Sequence, residues 1–220
     1  WRFSTASRIE SANDELSRHG TASAGIAAAL RDNGLGGCGI ASETTLAAVK
    51  LLQNYMQNSI DYYFSDDLLI NTFTNFENSE RTVLSNSWGP TDDRRVEGPG
   101  ILQSYSRVDA SMITFGKHGR NGKGGVLVFA AGNGGEHDNA NDDGFTSHPY
   151  TFAVGAIGDD GRRTAYSEPG ACIDVVAPSD GGWRSIVTTD ITGINGYSMF
   201  NSTDSFGGTS AAAPMVSAVI

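Results

Sequence analysis

Phe206-Gly207-Gly208-Thr209-Ser210-Ala211-Ala212-Ala213-Pro214-Met215 is the stretch on which the reading of this chain turns. Two glycines lead into a serine, and the serine into small residues that a helix accepts. The pattern predicts a tight turn opening a helix, with Ser210 in its first turn. A hydroxyl there sits over the positive end of the helix dipole. Pro214 is expected within that first turn, where backbone N–H groups have no helical partner. An ordinary N-capping serine has the same appearance, so residues elsewhere in the chain must decide between a cap and a nucleophile.

The chain has 220 residues, 39% of them hydrophobic, enough for one domain with a real core. Its net charge of −10 argues against nucleic acid or an anionic membrane as partner and favours cations or basic substrates. No apolar run approaches the roughly 20 residues that span a bilayer. Cys38 and Cys172 lie far apart without metal-ligand spacing, and fit one disulfide or two buried thiols equally. Asn201-Ser202-Thr203 is a glycosylation sequon, meaningful only in a eukaryotic secretory setting. The chain begins at Trp1 without an initiator Met or signal peptide and stops at Ile220 within the helix that Ser210 opens; truncation at both ends is the expectation.

Residues 1–18 read as surface loop. His19-Gly20-Thr21 then opens an Ala-rich helix over residues 22–30, followed by a Gly-rich turn over 32–39. Residues 46–52 fit a buried strand or a helix, 53–64 a helix, and 65–80 a polar irregular segment. Two apolar, β-rich runs follow, Thr82-Val83-Leu84 before Ser85-Asn86-Ser87-Trp88-Gly89-Pro90, and Gly125-Val126-Leu127-Val128-Phe129-Ala130-Ala131 before Gly132-Asn133-Gly134-Gly135. Between them Ile101, Tyr105, Val108, Met112 and Phe115 mark one face of a helix. Further strands are predicted at 151–157 and 173–177. Uninterrupted apolar strands alternating with helices indicate a parallel α/β sheet covered on both faces. Functional groups in such sheets gather at the carboxyl edge, where Ser87, Trp88 and Asn133 fall.

Acyl transfer by a serine requires a base and donors for the oxyanion. His19 is the candidate base, since imidazole alone has a resting pKa suited to neutral pH. Asn133, beyond a buried strand and flanked by glycines, is the candidate oxyanion donor, although Asn-Gly is also a turn dipeptide. An α/β-hydrolase esterase is excluded by the order of the groups: it needs Gly-x-Ser-x-Gly with His after Ser, and here His19 precedes Ser210.

Taken together these segments resemble the subtilisin superfamily, and within it the kexin/furin-like proprotein convertases. His19-Gly20-Thr21-Ala22-Ser23-Ala24-Gly25 resembles the family's His box, and the segment from Gly207 to Pro214 its Ser box. Ala131-Gly132-Asn133-Gly134-Gly135 resembles the convertase oxyanion segment. Ser87-Trp88-Gly89-Pro90 with Asp92-Asp93 and Gly98-Pro99 resembles a stretch distinctive of convertases. The matches fall in the family's order and span most of residues 19–220. The resemblance implies a three-layer α/β fold with a mostly parallel central sheet and a partial peptidase catalytic domain over residues 1–220. It implies a serine endopeptidase with Ser210 as nucleophile, His19 as base and Asn133 as oxyanion donor. In the family a catalytic Asp on the sheet's first strand precedes the His. Asp14 lies in a polar loop and does not fit that role, so the Asp and its strand are expected upstream of Trp1.

The resemblance also implies specificity for Arg or Lys before the scissile bond. Residues matching Asp92 and Asp143 line the pocket for that basic residue, and Ser87, Trp88, Gly89 and Pro90 belong to the substrate-binding stretch. Residues matching Asp92, Asp138 and Glu168 hold a calcium ion beside it. A carboxylate cluster repels itself unless a hard cation or a guanidinium neutralises it. A second calcium loop is implied at Leu30, Asn33, Leu35 and Gly37. Glu97 matches an acidic subsite for a more distant basic residue, and Asp61 does so more weakly. Leu16 stands where convertases place an Asp that reads the second basic residue, and Ala140 and Asp142 stand where they have cysteines. These departures weaken strict dibasic preference and point to a distant, bacterial-type relative. Polypeptide substrates, a pro-segment, a downstream domain and a secreted or cell-envelope location are implied by the family alone. A general protease without basic preference, or an inactive binding module of the same fold, is the alternative.

Overall fold

The computed structural model describes residues 15–49, 51, 53–54, 62–63, 66–76, 82–92 and 106–220. In chain order the elements are α1 (Glu15–Ala28), β1 (Gln53–Asn54), β2 (Tyr62–Tyr63), α2 (Asp66–Phe76), β3 (Val83–Asn86), α3 (Ser106–Gly122), β4 (Val126–Ala130), β5 (Thr151–Ile157), β6 (Ile173–Pro178), β7 (Ile186–Thr189), β8 (Ser202–Phe206) and α4 (Thr209–Val219).

β4 explains the layering. Leu127, Val128 and Phe129 are all fully buried, so neither face of the strand can meet water. Alternate side chains of a strand point to opposite faces. Leu127 and Phe129 pack with Val108, Met112 and Phe115 of α3, Leu69 and Phe73 of α2, and Phe145. Val128 and Ala130 pack with Val154, Ala156, Ala177 and the Ala212-Ala213 pair of α4. Two helices thus cover one face and α4 the other, and α1 lies against α4 through Ala22, Ile26, Phe206 and Ala211. The sheet runs β3-β4-β5-β6 and every pairing in it is parallel. Asn86 pairs with Phe129, and Ala130 with Val154, so these strands end close together at one edge.

β7 and β8 form a separate antiparallel pair that holds α1 in place. Thr188 Oγ1 donates to Ala22 O at 2.6 Å and Thr189 Oγ1 to Thr21 O at 2.8 Å. Only a glycine fits at position 25, because a Cβ there would overlap the Thr188 and Thr189 hydroxyls.

Four expectations need correction. α1 begins by Glu15, so His19 lies inside the helix rather than at its start; packing against α4 and β7 overrides the weak helix propensity of Gly20. The described ends of the expected 53–64 helix are strands instead: Gln53–Asn54 and Tyr62–Tyr63 pair antiparallel, consistent with the strand preference of tyrosine. Residues 45–49 are neither strand nor helix. The segment read as irregular contains α2, whose Leu69 and Phe73 share one buried face. Asp66 and Asp67 in its first turn are the helix-start signal that the polar composition obscured. Residues 1–14 and the predicted helical positions Ile101 and Tyr105 lie outside the described residues.

Phe129 has no exposed surface, stacks on Phe145 at 5.6 Å between ring centroids and meets Trp88 edge-on at 5.2 Å. Phe129→Ala should lower stability by about 3–5 kcal/mol, measured by urea unfolding with the slope of the transition unchanged.

Candidate active site

Gly208, with φ of 73°, turns the chain out of β8 into α4, a conformation that favours glycine. Ser210 is the second residue of that helix. Pro214 lies within the helix, one turn beyond the expected position. It is tolerated for a specific reason. The N–H that proline lacks would have bonded the carbonyl of Ser210, and Ser87 Oγ donates to that carbonyl instead, at 3.0 Å. The Ser87 hydroxyl therefore serves the helix that carries Ser210.

Asn133 approaches the same turn from the end of β4. Its Oδ1 accepts from Thr209 N at 2.8 Å and from Thr209 Oγ1 at 3.0 Å. A backbone N–H can only meet the oxygen, so the bond fixes which end of the carboxamide is which. The amide NH2 is left as donor on an exposed side chain beside Ser210. Thr209, wholly buried, is the residue that sequence reasoning passed over here; its signal was a hydroxyl next to the nucleophile candidate.

His19 sits on α1 and meets Phe206 edge-on, with ring centroids 5.3 Å apart. Burial, and secondarily the positive charge of Arg18, hold its pKa below the ordinary 6.5. The imidazole is therefore neutral, as a base must be. Arg18 in turn stacks over Tyr197 at 4.8 Å, and Tyr197 packs on Phe206 at 5.6 Å. These contacts seat His19 against Phe206, which lies four residues before Ser210 in the chain; His19 does not line the cavity described next.

A cavity at the carboxyl edge collects Ser87, Trp88, Gly89, Pro90, Asp92, Asn133, Asp138, Asp143, Glu168 and Ser210. Nearly all sequence-derived subsite and metal residues of this half of the chain therefore share one space. Asp142, read only as a replaced cysteine position, lines it too. Trp88 forms a wall, edge-on to Phe129 and to Phe145 at 5.1 Å, with Nε1 donating to Asn86 Oδ1 at 3.2 Å. Asp143 Oδ1 caps the next turn by accepting from Phe145 N at 2.7 Å.

Glu168 is 4% exposed and accepts from Gly134 N at 3.0 Å. Desolvation first, with the carboxyls of Asp138 and Asp92 adding repulsion, pushes its pKa up to about 8. Gly132, with φ of 100°, and Gly134 leave the room that Glu168 occupies. Hard oxygen donors around a buried carboxyl suit calcium, although among the described residues no three His, Cys, Asp or Glu groups converge to metal-holding distance. Leu30, Asn33, Leu35 and Gly37 lie apart from the cavity in the exposed turn after α1, where Asn33 Oδ1 accepts from Leu35 N at 2.9 Å. Glu97, Asp61 and Asp14 lie outside the described residues. Cys38 and Cys172 are both free, which excludes the disulfide; Cys38 is exposed and Cys172 half-buried, so the reading as two buried thiols fails as well.

The model of the subtilase family matches residues 4–220. A dibasic-processing endoprotease of Yarrowia lipolytica is 35% identical over 221 residues, which is 100% of this chain and 21% of that protein. A dibasic-processing endoprotease of Schizosaccharomyces pombe is 37% identical over 92% of this chain and 26% of its own length. Neuroendocrine convertase 2 of Drosophila melanogaster is 32% identical over 94% of this chain and 29% of its own length. The chain thus spans less than a third of the length of each of these relatives. In fold it is similar to a serine protease of Aeromonas sobria, with a TM-score of 0.78 at 24% identity over 97% of this chain and 41% of that one. It is similar also to a cold adapted subtilisin-like serine proteinase, with a TM-score of 0.60 at 20% identity over 94% of this chain and 64% of that one.

Two histidines, His148 buried and His19 half-buried, set a pH limit. His148, 6% exposed, accepts from Tyr150 N through Nδ1 at 3.2 Å, and burial lowers its pKa more than nearby Asp109 raises it. His19 is lowered as well. These two groups therefore bind more protons in the unfolded chain than in the folded one just below pH 6.5, and their contribution to stability should fall with acidification from that point. Thermal unfolding between pH 7 and pH 5 checks this, and His148→Asn should flatten the slope.

Proposed function

This chain belongs to the subtilase family, and we propose that it is the catalytic part of a serine endopeptidase that cleaves after Arg or Lys. The observation that supports this most directly is the Asn133 carboxamide. Its oxygen is tied to Thr209, so its NH2 is free to donate where a carbonyl under attack by Ser210 would develop negative charge. In this reading Ser210 Oγ attacks the scissile carbonyl carbon and its proton passes to His19. The oxyanion accepts from Asn133, and His19 then returns the proton to the leaving amine. The carboxylate that orients the imidazole comes from outside the described residues.

The basic preference is supported by the names of the dibasic-processing relatives and by the acids lining the cavity, Asp92 and Asp143 foremost. A guanidinium entering there meets carboxylates beside the aromatic wall of Trp88, where charge-assisted bidentate pairing is favoured. Calcium would be held by Asp92, Asp138 and Glu168, and would neutralise the acids nearest the pocket. Kinship with convertases supports a secreted or cell-envelope location. No helix among the described residues is long and apolar enough to cross a membrane.

The test is made on the full-length protein, with peptides ending in Arg, Leu or Phe before the scissile bond. Cleavage of the Arg peptide is expected, together with fluorophosphonate labelling that Ser210→Ala abolishes. Asn133→Ala should lower kcat about 10²–10³-fold, the known effect of the equivalent donor in subtilisin. Equal cleavage of all three peptides would leave a general protease; no labelling would leave an inactive module.

Removal of calcium gives a second test. A carboxyl whose folded pKa of about 8 exceeds the ordinary 4.5 binds more protons when folded, so stability is lost as pH rises through that window. With a chelator, melting temperature should fall between pH 5 and pH 8 by an amount that Glu168→Gln removes. Saturating calcium should suppress the same fall.

A further inference from the structure

Ser179 and Asp180 follow β6, belong to none of the quoted motifs and do not line the cavity. They nevertheless hold the turn that precedes Ser210. Asp180 Oδ1 accepts from Gly208 N at 2.8 Å, and Ser179 Oγ donates to Gly208 O at 2.7 Å. Ser179 is 3% exposed, so its hydroxyl has no competing water to serve. The Tyr166 hydroxyl donates to the same Asp180 Oδ1 at 2.6 Å and lies 2.9 Å from the Asp180 carbonyl. Burial and the bond to Asp180 raise that tyrosine's pKa above its ordinary value, so it remains a donor under working conditions. A Cβ at Gly207 would overlap the Asp180 carboxylate, so the backbone of the turn lies directly on it.

The bonds divide the turn completely. The peptide group between Gly207 and Gly208 is held at its N–H by Asp180. The next is held at its carbonyl by Ser179 and at its N–H by Asn133. Gly208, at a φ of 73°, is the flexible point between them. Without Asp180 the Gly207 side of that point is free, and the turn is held only from the Ser179, Asn133 and α4 side.

We propose that Asp180, oriented by Tyr166, is a positioning residue that aims the Ser210 hydroxyl by seating the Gly207-Gly208 turn. It touches neither substrate nor reacting atoms, and it acts as a hydrogen-bond acceptor rather than as a charge. This rests on Ser210 being the nucleophile. Misplacing a reacting atom by about 1 Å costs about 10²-fold in rate, which sets the size of the effect.

The experiment uses the full-length protease with an Arg peptide and a fluorophosphonate. Asp180→Ala should lower kcat about tenfold to hundredfold, leave KM within about twofold because the pocket is untouched, and slow Ser210 labelling in proportion. Asp180→Asn keeps an oxygen acceptor and should recover activity to within about threefold of the parent. Tyr166→Phe should fall between the two. Unchanged kcat in Asp180→Ala, or Asp180→Asn as slow as Asp180→Ala, overturns the proposal. Should Asp180→Ala not fold, Tyr166→Phe carries the test, and an unchanged kcat in it overturns the proposal equally. Labelling that survives Ser210→Ala overturns the nucleophile assignment itself, an outcome separable from the others because it requires no change at Asp180.

Discussion

Because Pro214 carries no N–H, the carbonyl of Ser210 has no helical partner and accepts from Ser87 at 3.0 Å. One missing hydrogen bond inside a helix thus becomes a bond between that helix and the end of β3. The other groups around the turn follow the same rule. Thr209 N meets the end of β4 at Asn133, and both polar atoms of Gly208 meet the end of β6 at Ser179 and Asp180. A buried polar group left unmade costs about 1–3 kcal/mol, so each of these bonds constrains the others. The parallel register of the sheet makes the arrangement feasible, since it brings the strand ends to one edge.

The acidic cavity works by a different balance. Glu168 is nearly inaccessible and is pushed up to about 8 by burial and by neighbouring acids. Evicting it would release that tension, but Gly132 and Gly134 are shaped around it and its Oε1 holds Gly134 N. The loop that presents Asn133 is therefore built on a carboxyl that a cation would relax. Asn133 and the acidic cavity share one support.

The legible part of the sequence was local. Small residues after Gly-Gly, an imidazole before Gly-Thr and an Asn between glycines each sit within a few positions of their own signal. The buried runs at 126–130 and 151–157 announced themselves because both faces are apolar. What could not be read was held by distant contacts. α1 extends back past Gly20 because β7, more than 160 residues on, bonds its carbonyls. α2 hid its two buried residues, Leu69 and Phe73, among polar ones. Asp180 carries no motif, and its partner Gly208 lies 28 positions away. His19, Asn133 and Ser210 were singled out in the sequence as candidates, and the cavity brings Asn133 and Ser210 together; the contacts that support them were not legible.

Phe129 stacks on Phe145 beneath the cavity while its neighbour Val128 supports the alanines of α4 on the opposite face. A five-residue strand thus underlies the acidic cavity on one face and the helix of Ser210 on the other. A tilt of β4 would move both. In the proposed protease, selectivity and turnover would therefore share a single mechanical axis. Redesigning the pocket for a bulkier or neutral side chain will succeed only where the change is absorbed by Trp88 and the loop around Asp143, leaving that axis unmoved.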